Sequence, residues 1–331
     1  MVDLTSPRFE PHPLLKNAHA MTIGAAVVPR RFDIPPAEAR RFQVDTDSWL
    51  LGHCHWQLGK RRDAPVLVLV HGLEGSSDSN YMRGIGEKAF HRGFHVVRLN
   101  QRNCGGTEAL TPTLYNSGMS GDYRAVLEEL SEGDGFEQIF FAGYSMGGNL
   151  LAKMAGELGD SAPPALRAIC TVCPSIDMAP CADALERWDN YPYQRHFVSG
   201  LMAHYAQKVK LFPRLYSTNG LPPIRTVRNF DDYIVAPRFG YRDAQDYYES
   251  VSAKRVTMQI RVPFLLITAQ DDPFVPYSLF LAAKVVDNPA IRFIAPAHGG
   301  HCGFISKHSG AERFWAEQRI VEFCNELRMK G

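Results

Sequence analysis

The hydrophobic pattern of this 331-residue chain alternates between short, wholly apolar runs and longer amphipathic stretches. The apolar runs predict strands buried on both faces, because only a sheet covered by helices on both sides hides every side chain of a strand. Two of these runs, at 65–70 and 138–142, each precede a turn and a helical pattern. A later run at 290–296 precedes a final amphipathic helix, predicted over about residues 311–327. The pattern predicts an α/β fold with a mostly parallel central sheet flanked by helices.

An aromatic-rich insertion, residues 175–256, interrupts the alternation late in the chain. An insertion at this point of a parallel sheet predicts a helical lid over the carboxyl edge, where open α/β folds bind ligands. Trp188 in this segment is a candidate for lining an apolar pocket. Residues 1–37 are rich in proline with isolated apolar side chains, which predicts an extended arm laid over the domain. The chain as a whole, residues 1–331, is predicted to form a single domain.

The turn after the apolar run at 138–142 carries the only Gly-x-Ser-x-Gly pattern in the sequence, Gly143-Tyr144-Ser145-Met146-Gly147. A serine on a sharp turn from strand to helix has strained backbone geometry, and flanking glycines keep Cβ atoms from blocking that turn. The pattern predicts Ser145 as a nucleophile and the Met146 N–H, at the start of a helix, as an oxyanion donor. The alternative, small residues that only separate a strand from a helix, is less favoured because an apolar strand and a helical run flank the motif.

A His-Gly loop follows the apolar strand at 65–70 and reads His71-Gly72-Leu73. Glycine lets the backbone approach a substrate closely, so the Leu73 N–H is a candidate for the second oxyanion donor. His71 is a candidate for the substrate pocket. An ordinary strand-to-helix loop is the alternative, and the position relative to Ser145 favours the oxyanion role.

Two late loops supply candidates for an acid and a base. Asp271 and Asp272 follow a predicted strand, where a carboxylate can orient a histidine supplied by the next strand. We favour Asp272 as the acid and keep Asp271 as the second choice. His298 and His301 share a glycine-rich loop after the final strand; we favour His301 as the base and His298 as a hydrogen bonder that shapes the loop. The order Ser145, Asp272, His301 is that of the α/β-hydrolase fold and differs from the two protease orders.

Composition narrows the function. The formal net charge of +1 argues against a nucleic-acid partner, which would need a basic face. No run approaches the roughly 18 apolar residues of a membrane span, and the first seven residues have no apolar core of a secretory signal. The seven cysteines are scattered and odd in number, which favours a reducing cytoplasm over a disulfide framework. Cys170 and Cys173 lie in an apolar run, so we interpret them as core residues rather than a redox or metal pair.

Several segments together resemble the YheT-type branch of the α/β-hydrolase family, and the likeness covers almost the whole chain. They are His71-Gly72-Leu73-Glu74-Gly75-Ser76-Ser77, Asn100-Gln101-Arg102-Asn103-Cys104-Gly105-Gly106, Gly143-Tyr144-Ser145-Met146-Gly147-Gly148-Asn149, Asp271-Asp272-Pro273-Phe274 and His298-Gly299-Gly300-His301-x-Gly303-Phe304. The resemblance implies an esterase with Ser145 as nucleophile, Asp272 as acid and His301 as base. It leaves the substrate open, because lipases, phospholipases and alcohol acyltransferases are related to the same branch.

The sequence therefore predicts a serine hydrolase that cleaves carboxylic esters of short- to medium-chain acyl groups. Phe274 and Phe304, which follow the acid and base motifs, join the candidate pocket residues. The expected partner is a small-molecule ester with an apolar acyl group, and no metal, nucleotide or flavin is expected. Nothing in the sequence points to a particular oligomeric state. Acyl transfer to an alcohol and a non-catalytic ligand-binding role remain as alternatives.

Overall fold

A computed structural model describes residues 8–59 and 62–329 of the chain. Its strands form one sheet of eight, and the predicted α/β fold with a mostly parallel sheet is confirmed. The strands are β1 (Glu38–Asp45), β2 (Ser48–His55), β3 (Val66–Val70), β4 (His95–Asn100), β5 (Ile139–Tyr144), β6 (Leu166–Val172), β7 (Phe264–Ile267) and β8 (Ile291–Ile294).

Helices cover both faces of this sheet and one end of it. The α-helices are α1 (Ala18–Val27), α2 (Asn80–His91), α3 (Ser120–Glu128), α4 (Met146–Leu158), α5 (Met178–Leu185), α6 (Tyr191–Leu211), α7 (Val227–Phe230), α8 (Ala236–Phe239), α9 (Ala244–Val251), α10 (Ser278–Ala282) and α11 (Trp315–Met329). A π turn, Glu129–Gly133, continues α3. A 3₁₀ turn, Gly310–Arg313, occupies the start of the predicted last helix, so α11 begins later than expected.

The strand order is β1-β2-β4-β3-β5-β6-β7-β8. The first two pairings, β1 with β2 and β2 with β4, are antiparallel, and every later pairing is parallel. Parallel neighbours end at the same edge of a sheet. The loops after β3, β5, β7 and β8 therefore meet at one edge, and these are the loops that carry the predicted site residues.

Strand β3 shows why this sheet needs helices on both sides. All five of its residues are buried. Val66, Val68 and Val70 belong to one apolar cluster, whereas Leu67 and Leu69 belong to another on the opposite face. Successive side chains of a strand point to opposite faces, so an unbroken apolar run is satisfied only when both faces are covered.

The N-terminal segment differs from the predicted extended arm because it contains α1. The side chain of Asn17 accepts hydrogen bonds from the N–H groups of His19 and Ala20 and so caps this helix. The proline-rich flanks, which suggested an extended chain, lie outside the helix. Residues 1–7 of the predicted arm, which include the stretch scanned for a secretory signal, lie outside the described residues.

The aromatic-rich insertion, residues 175–256, contains α5 to α9. Its longest helix, α6, begins with Tyr191-Pro192. Proline fits the first helical turn because a backbone N–H at that position would have no partner within the helix, so its absence costs nothing. None of the helices in the two described stretches combines the length and the apolar character that crossing a bilayer requires.

Candidate active site

Ser145 lies on a strained turn between β5 and α4. Its backbone has φ 52° and ψ −119°, a left-handed conformation that is costly for a residue with a side chain. The flanking glycines permit this turn: a Cβ at Gly147 would lie 2.4 Å from the carbonyl oxygen of His71, and one at Gly143 would lie 2.6 Å from that of Gly147. The crowding explains why the motif needs glycine on both sides of the serine.

The predicted nucleophile, base and acid lie in one hydrogen-bonded chain. His301 Nε2 is 2.9 Å from Ser145 Oγ, and His301 Nδ1 is 2.9 Å from Asp272 Oδ2. The Asp272 side chain is fully buried, and its Oδ1 accepts hydrogen bonds from the N–H groups of Phe274 and Val275. The carboxylate is thus fixed in place before it meets the imidazole.

Asp271 and His298, which lie on the same two loops, are next to this series of hydrogen-bonded residues but are not part of it. Asp271 Oδ1 accepts a hydrogen bond from the Gly300 N–H at 2.9 Å, and Asp271 Oδ2 lies 3.2 Å from His298 Nδ1. These contacts join the acid loop to the histidine loop. The arrangement places Asp272 against His301 and leaves Asp271 with the loop-shaping His298.

The environment of His301 favours its charged form. Burial alone would lower the pKa of its imidazole, but the Asp272 carboxylate and the Cys302 sulfur outweigh burial and raise the pKa well above its ordinary value. A nearby carboxylate acts in this direction because it stabilises the imidazolium. A histidine in this setting takes up a proton readily.

Two backbone N–H groups border Ser145. Met146 is the first residue of α4, so its N–H has no partner within the helix. Leu73 lies on the loop after β3, and both residues line the same pocket as Ser145. A Cβ on Gly72 would lie 3.0 Å from Ser145 Cβ, which shows how closely this loop passes the serine. Tyr81 accepts a hydrogen bond from the Gly72 N–H at 3.0 Å and supports the loop from behind.

His71 does not line the pocket, contrary to its prediction as a pocket residue, because its ring is fully buried behind the loop. Nδ1 lies 2.7 Å from the Gly72 carbonyl oxygen, and Nε2 accepts a hydrogen bond from the Gln101 N–H. These partners require a neutral ring protonated on Nδ1, and burial accordingly lowers the pKa of His71 to about 4. The side chain braces the backbone before Leu73.

A mostly apolar pocket extends from Ser145 and His301 beneath the helical insertion. It holds about 90 Å³ of free space. Its apolar lining comes from the loops and from α5, α6 and the segment around Phe230: Leu73, Met146, Met178, Ala182, Leu185, Phe197, Leu201, Val227, Phe230, Val235, Phe274 and Val275. Phe274, a predicted pocket residue, also lies against the His301 ring, with 4.7 Å between the ring centroids.

One carboxyl group, that of Asp231, lines this mostly apolar pocket. Asp231 accepts a hydrogen bond from the Tyr248 hydroxyl at 2.6 Å. Burial raises the pKa of Asp231 to about 7. Below that pH the carboxyl is neutral, and the pocket carries no charge from this side chain.

A wider groove, with about 450 Å³ of free space, reaches Ser145 from the opposite side. It runs between α1 and α6 and is lined by Ile23, Val27, Tyr193 and Cys302, among others. A smaller, mostly apolar pocket and a larger groove are therefore both lined by Ser145 and His301.

Two further predicted pocket residues lie elsewhere. The Trp188 side chain is 88% exposed and lines neither cavity, because the 3₁₀ turn that carries it directs the ring to solvent. Phe304 is fully buried on the far side of the histidine loop, where it packs against Phe9 and Trp315. Phe304 supports the loop from the core and does not contact the pocket.

Three side chains that support the site were not predicted from the sequence. Thr22 on α1 accepts a hydrogen bond from the His301 N–H at 2.8 Å. Glu74, next to Leu73, has a left-handed φ of 56° and approaches His204 on α6, with 3.4 Å between Oε2 and Nε2. A hydroxyl on α1 and a lone histidine on a long helix carry no signal in the sequence, because their roles depend on how distant helices pack.

Among the described residues, one group of potential metal ligands lies close together: Cys173, His301 and Cys302, with ligand atoms within 4.8 Å of one another. Both ring nitrogens of His301 already face Ser145 and Asp272. The imidazole would have to leave the serine to bind an ion, so this group does not fit a metal centre that assists the site.

Comparison with known proteins finds a family model, relatives and solved structures that are similar to this chain. A family model described as the alpha/beta hydrolase fold matches residues 65–308. The Escherichia coli (strain K12) protein YheT, whose name describes a candidate esterase, is 31% identical over 321 residues. That alignment covers 96% of this chain and 93% of YheT.

A more distant relative and a solved structure extend the comparison. The monoacylglycerol lipase of Saccharomyces cerevisiae is 29% identical over 81% of this chain, which spans 61% of the lipase's length. The structure of Est1E from Butyrivibrio proteoclasticus superposes with a TM-score of 0.55, covering 88% of this chain and 99% of that one. At 16% identity, that likeness shows a shared fold.

Proposed function

The chain belongs to the alpha/beta hydrolase fold family, as its resemblance to the YheT-type branch predicts, and we propose that it is a serine esterase acting through an acyl-enzyme. The observation that carries this proposal is the continuous contact from Ser145 Oγ to His301 to Asp272, with 2.9 Å at each step. The contact joins residues far apart in the chain at the mouth of an apolar pocket, which is the arrangement that nucleophilic catalysis by serine requires.

In the first step, Ser145 Oγ attacks the ester carbonyl while His301 Nε2 takes the hydroxyl proton. The imidazolium that forms is stabilised by the Asp272 carboxylate, which raises the pKa of His301. His301 then gives the proton to the leaving alkoxide, and the acyl group stays on Ser145. Asp272 also fixes the tautomer, because its contact with Nδ1 leaves Nε2 free to accept the serine proton.

The N–H groups of Leu73 and Met146 hold the oxyanion of the tetrahedral intermediate. Their position next to Ser145, together with the N-terminus of α4, supports this assignment. Each such donor contributes on the order of 3 kcal/mol to transition-state stabilisation in comparable sites. His71 and Tyr81 act as positioning residues, since they hold the Gly72-Leu73 backbone from behind.

Deacylation repeats these steps with water as the nucleophile. His301 takes a proton from the water, the tetrahedral intermediate forms again, and Ser145 leaves with the proton that His301 returns. The products are a carboxylic acid and an alcohol. The chain's own residues supply every proton transfer in this cycle.

The shapes of the two cavities support a substrate class. The smaller pocket, with about 90 Å³ of free space and a mostly apolar lining, suits a short- to medium-chain acyl group. The groove, with about 450 Å³, suits a larger alcohol group and gives it a path to solvent. The partner is then a small-molecule ester whose acyl part is apolar, and the helical insertion serves as the lid over that part.

The test is an ester panel. Wild type and Ser145→Ala are compared on p-nitrophenyl esters of increasing acyl length. We expect wild type to prefer the shorter chains and the variant to lose about 10⁶-fold in kcat, because nucleophile and base act as a unit. Hydrolysis by Ser145→Ala at the wild-type rate would overturn the proposal.

Acyl transfer to an alcohol is the second candidate, and the wide groove favours it because an acceptor alcohol can enter where the leaving alcohol departed. Both reactions use the same residues and differ only in what attacks the acyl-enzyme. Measuring acid release and ethyl ester formation in the presence of added ethanol separates them. Ester formation that exceeds acid release would assign the chain to acyl transfer.

A further inference from the structure

Two thiols, Cys173 and Cys302, lie together beside the candidate triad. Cys173 directly follows β6, and Cys302 directly follows His301. Their sulfur atoms lie within 4.8 Å of each other. The Cys302 N–H also donates a hydrogen bond to Cys173 Sγ at 3.3 Å, across 129 residues of chain. The two loops are thus joined through their cysteines.

The backbone around the pair holds both sulfurs in this arrangement. The Cys302 thiol lies 3.7 Å from the Val172 carbonyl oxygen, and the Cys173 thiol lies 3.8 Å from that of Gly300. Both cysteines have left-handed φ angles, 46° for Cys173 and 61° for Cys302. Non-glycine residues keep such angles only where the surrounding structure enforces them, and they cluster at functional sites.

The two sulfurs differ in access and in chemistry. Cys173 is fully buried, whereas Cys302 is partly exposed and lines the groove that reaches Ser145. Burial would raise the pKa of the Cys302 thiol, but the contacts with the Cys173 thiol and the His301 imidazole outweigh burial and lower the pKa below its ordinary value. Burial raises the pKa of Cys173 well above its ordinary value. Cys302 is therefore the nucleophilic sulfur, because the thiolate is the reactive form.

We propose that Cys302 and Cys173 form a redox switch, in which a peroxide oxidises the pair to a disulfide and this lowers esterase activity by displacing His301 from Ser145. The effect on activity rests on the function proposed above. Formation of the disulfide rests only on the position of the two thiols and on the groove that admits a small oxidant.

The chemistry takes two steps. The Cys302 thiolate attacks one oxygen of the peroxide; an S–O bond forms, the O–O bond breaks, and the departing hydroxide takes up the proton that Cys302 gave up, leaving water and a sulfenic acid. Cys173 then attacks the sulfenic sulfur; the S–S bond forms, the S–O bond breaks, and the second hydroxide leaves as water with the proton of Cys173. Two electrons pass from the thiols to the peroxide. A dithiol reverses the oxidation by thiol–disulfide exchange.

Formation of the bond must move the histidine loop. The sulfurs, now within 4.8 Å, have to approach to about 2 Å in a disulfide. Cys302 adjoins His301, whose ring is held to Ser145 and Asp272 by contacts of 2.9 Å. A displacement of about 1 Å at a catalytic group can cost about 100-fold in rate, so we expect a loss of about that size.

A second thiol pair provides an internal control. Cys170 and Cys324 have their sulfurs 3.9 Å apart, yet both residues are fully buried between the sheet and α11. Burial and the neighbouring Cys324 raise the pKa of Cys170 well above its ordinary value. The two sulfurs of this pair are close together, but neither residue is accessible to solvent. We expect it to stay reduced under conditions that oxidise Cys173 and Cys302.

The experiment treats the full chain with hydrogen peroxide and follows two readouts, peptide mass mapping of disulfides and hydrolysis of a p-nitrophenyl ester. We expect a Cys173–Cys302 disulfide, free Cys170 and Cys324, and about 100-fold lower activity that dithiothreitol restores. Cys173→Ala should keep the activity of the untreated protein but lose dithiothreitol rescue after peroxide, because Cys302 then has no partner and oxidises further. In the Cys302→Ser variant, Cys173 should form no disulfide after peroxide treatment.

Two results would overturn the switch: no Cys173–Cys302 disulfide after peroxide treatment, or a complete disulfide with activity unchanged. Equal oxidation of the Cys170–Cys324 pair would also contradict it, because proximity alone would then explain the chemistry. A reduced protein that hydrolyses no ester would instead refute the proposed function, and the mass map would still report on the thiols. The two failures are therefore distinguishable.

Discussion

The edge of the sheet and the helical insertion above it, residues 175–256, are held in place by different interactions. At the sheet edge, backbone groups fix the reactive residues: the Ser145 N–H donates to the Val172 carbonyl, and the Gly300 N–H donates to Asp271. Strands buried on both faces support these loops. The bond between Ser145 and Val172 joins two backbone groups, so ordinary changes of pH leave it intact, whereas the bond from Gly300 ends on a carboxylate.

The insertion is joined to the rest of the molecule largely through side chains. His204 on α6 lies 2.8 Å from Glu108 and 3.4 Å from Glu74, and the Tyr115 hydroxyl donates to Glu74 at 2.8 Å. The Lys208 ammonium group donates to the Glu108 carbonyl at 2.7 Å. The loops of the candidate triad are therefore held by the sheet, whereas the insertion, which also packs on the apolar core, adds contacts to the rest of the molecule that involve titratable side chains.

The largest effect should come from the sheet edge. Asp272→Asn preserves size but removes the charge that stabilises the imidazolium and sets its tautomer, so we expect kcat to fall about 10⁴-fold. Asp271→Asn is the matched control, since that carboxylate contacts His298 and Gly300 instead. Steady-state kinetics of both variants on one ester decide the matter. A larger loss in Asp271→Asn would reverse the assignment of the acid.

The second-largest effect should come from the contact between His204 on α6 and the Glu74 carboxylate. The Glu74 carboxylate, assisted by Glu108, raises the pKa of His204 to about 9 from an ordinary value of 6.5. Tyr115 and Lys208 contact the two glutamates: the Tyr115 hydroxyl donates to the Glu74 carboxylate, and the Lys208 ammonium group donates to the Glu108 backbone carbonyl. A raised pKa means that the stabilisation is fully present below about 6.5 and is lost as the pH rises through about 9.

We therefore expect the melting temperature of wild type to fall more steeply than that of His204→Gln between about pH 6.5 and 9. At pH 7 the variant should have a few-fold lower kcat, roughly 2- to 10-fold, because Glu74 adjoins Leu73, the proposed oxyanion donor. The measurements are thermal unfolding and pH–rate profiles of both proteins. Parallel pH profiles would show that the histidine carries no charge in the folded state.

A smaller effect should follow from Gly200, where α6 passes close to Glu74. A Cβ at this position would lie 1.9 Å from Glu74 Oε2, so Gly200→Ala has to push the carboxylate or the helix aside. We expect a loss of about 1–3 kcal/mol in unfolding free energy, as for other overpacked sites. Gly121→Ala in α3 is the control, because nothing lies within 4 Å of its Cβ and alanine favours a helix. Urea unfolding of both variants tests the difference.

The smallest effect should come from Trp188, which belongs to the insertion but faces solvent. Trp188→Ala should change the free energy of unfolding by no more than about 0.5 kcal/mol and leave ester hydrolysis unchanged.

Phe274→Ala is the matched variant inside the pocket. It removes a ring that packs against His301 and lines the pocket, so it should raise KM and lower kcat. A chain-length profile that changes in Trp188→Ala and stays the same in Phe274→Ala would place the acyl pocket elsewhere.

The same two regions differ in how far the sequence predicts them. The parallel sheet and the meeting of the loops that carry Ser145, Asp272 and His301 follow from local signals, because apolar runs, a glycine-flanked serine and the order of the motifs specify them. The choice of Asp272 over Asp271 agrees with the contact to His301, although the sequence alone left both open.

Contacts between distant side chains could not be predicted. The approach of His204 to Glu74 depends on where α6 lies, and the pairing of Cys173 with Cys302 spans 129 residues. Exposure of Trp188 depends on the direction of one short turn. Helix α1 is a different case: Asn17 was a local capping signal, and the proline-rich context obscured it.

The central claim is that Ser145 is acylated with the help of His301. Its most direct test is labelling of the full-length protein with a fluorophosphonate probe, followed by mass mapping of the modified residue. We expect one label per chain, on Ser145. Labelling should be lost in Ser145→Ala and strongly slowed in His301→Ala. A label on another residue, or ester hydrolysis that continues with Ser145 unlabelled, would contradict it.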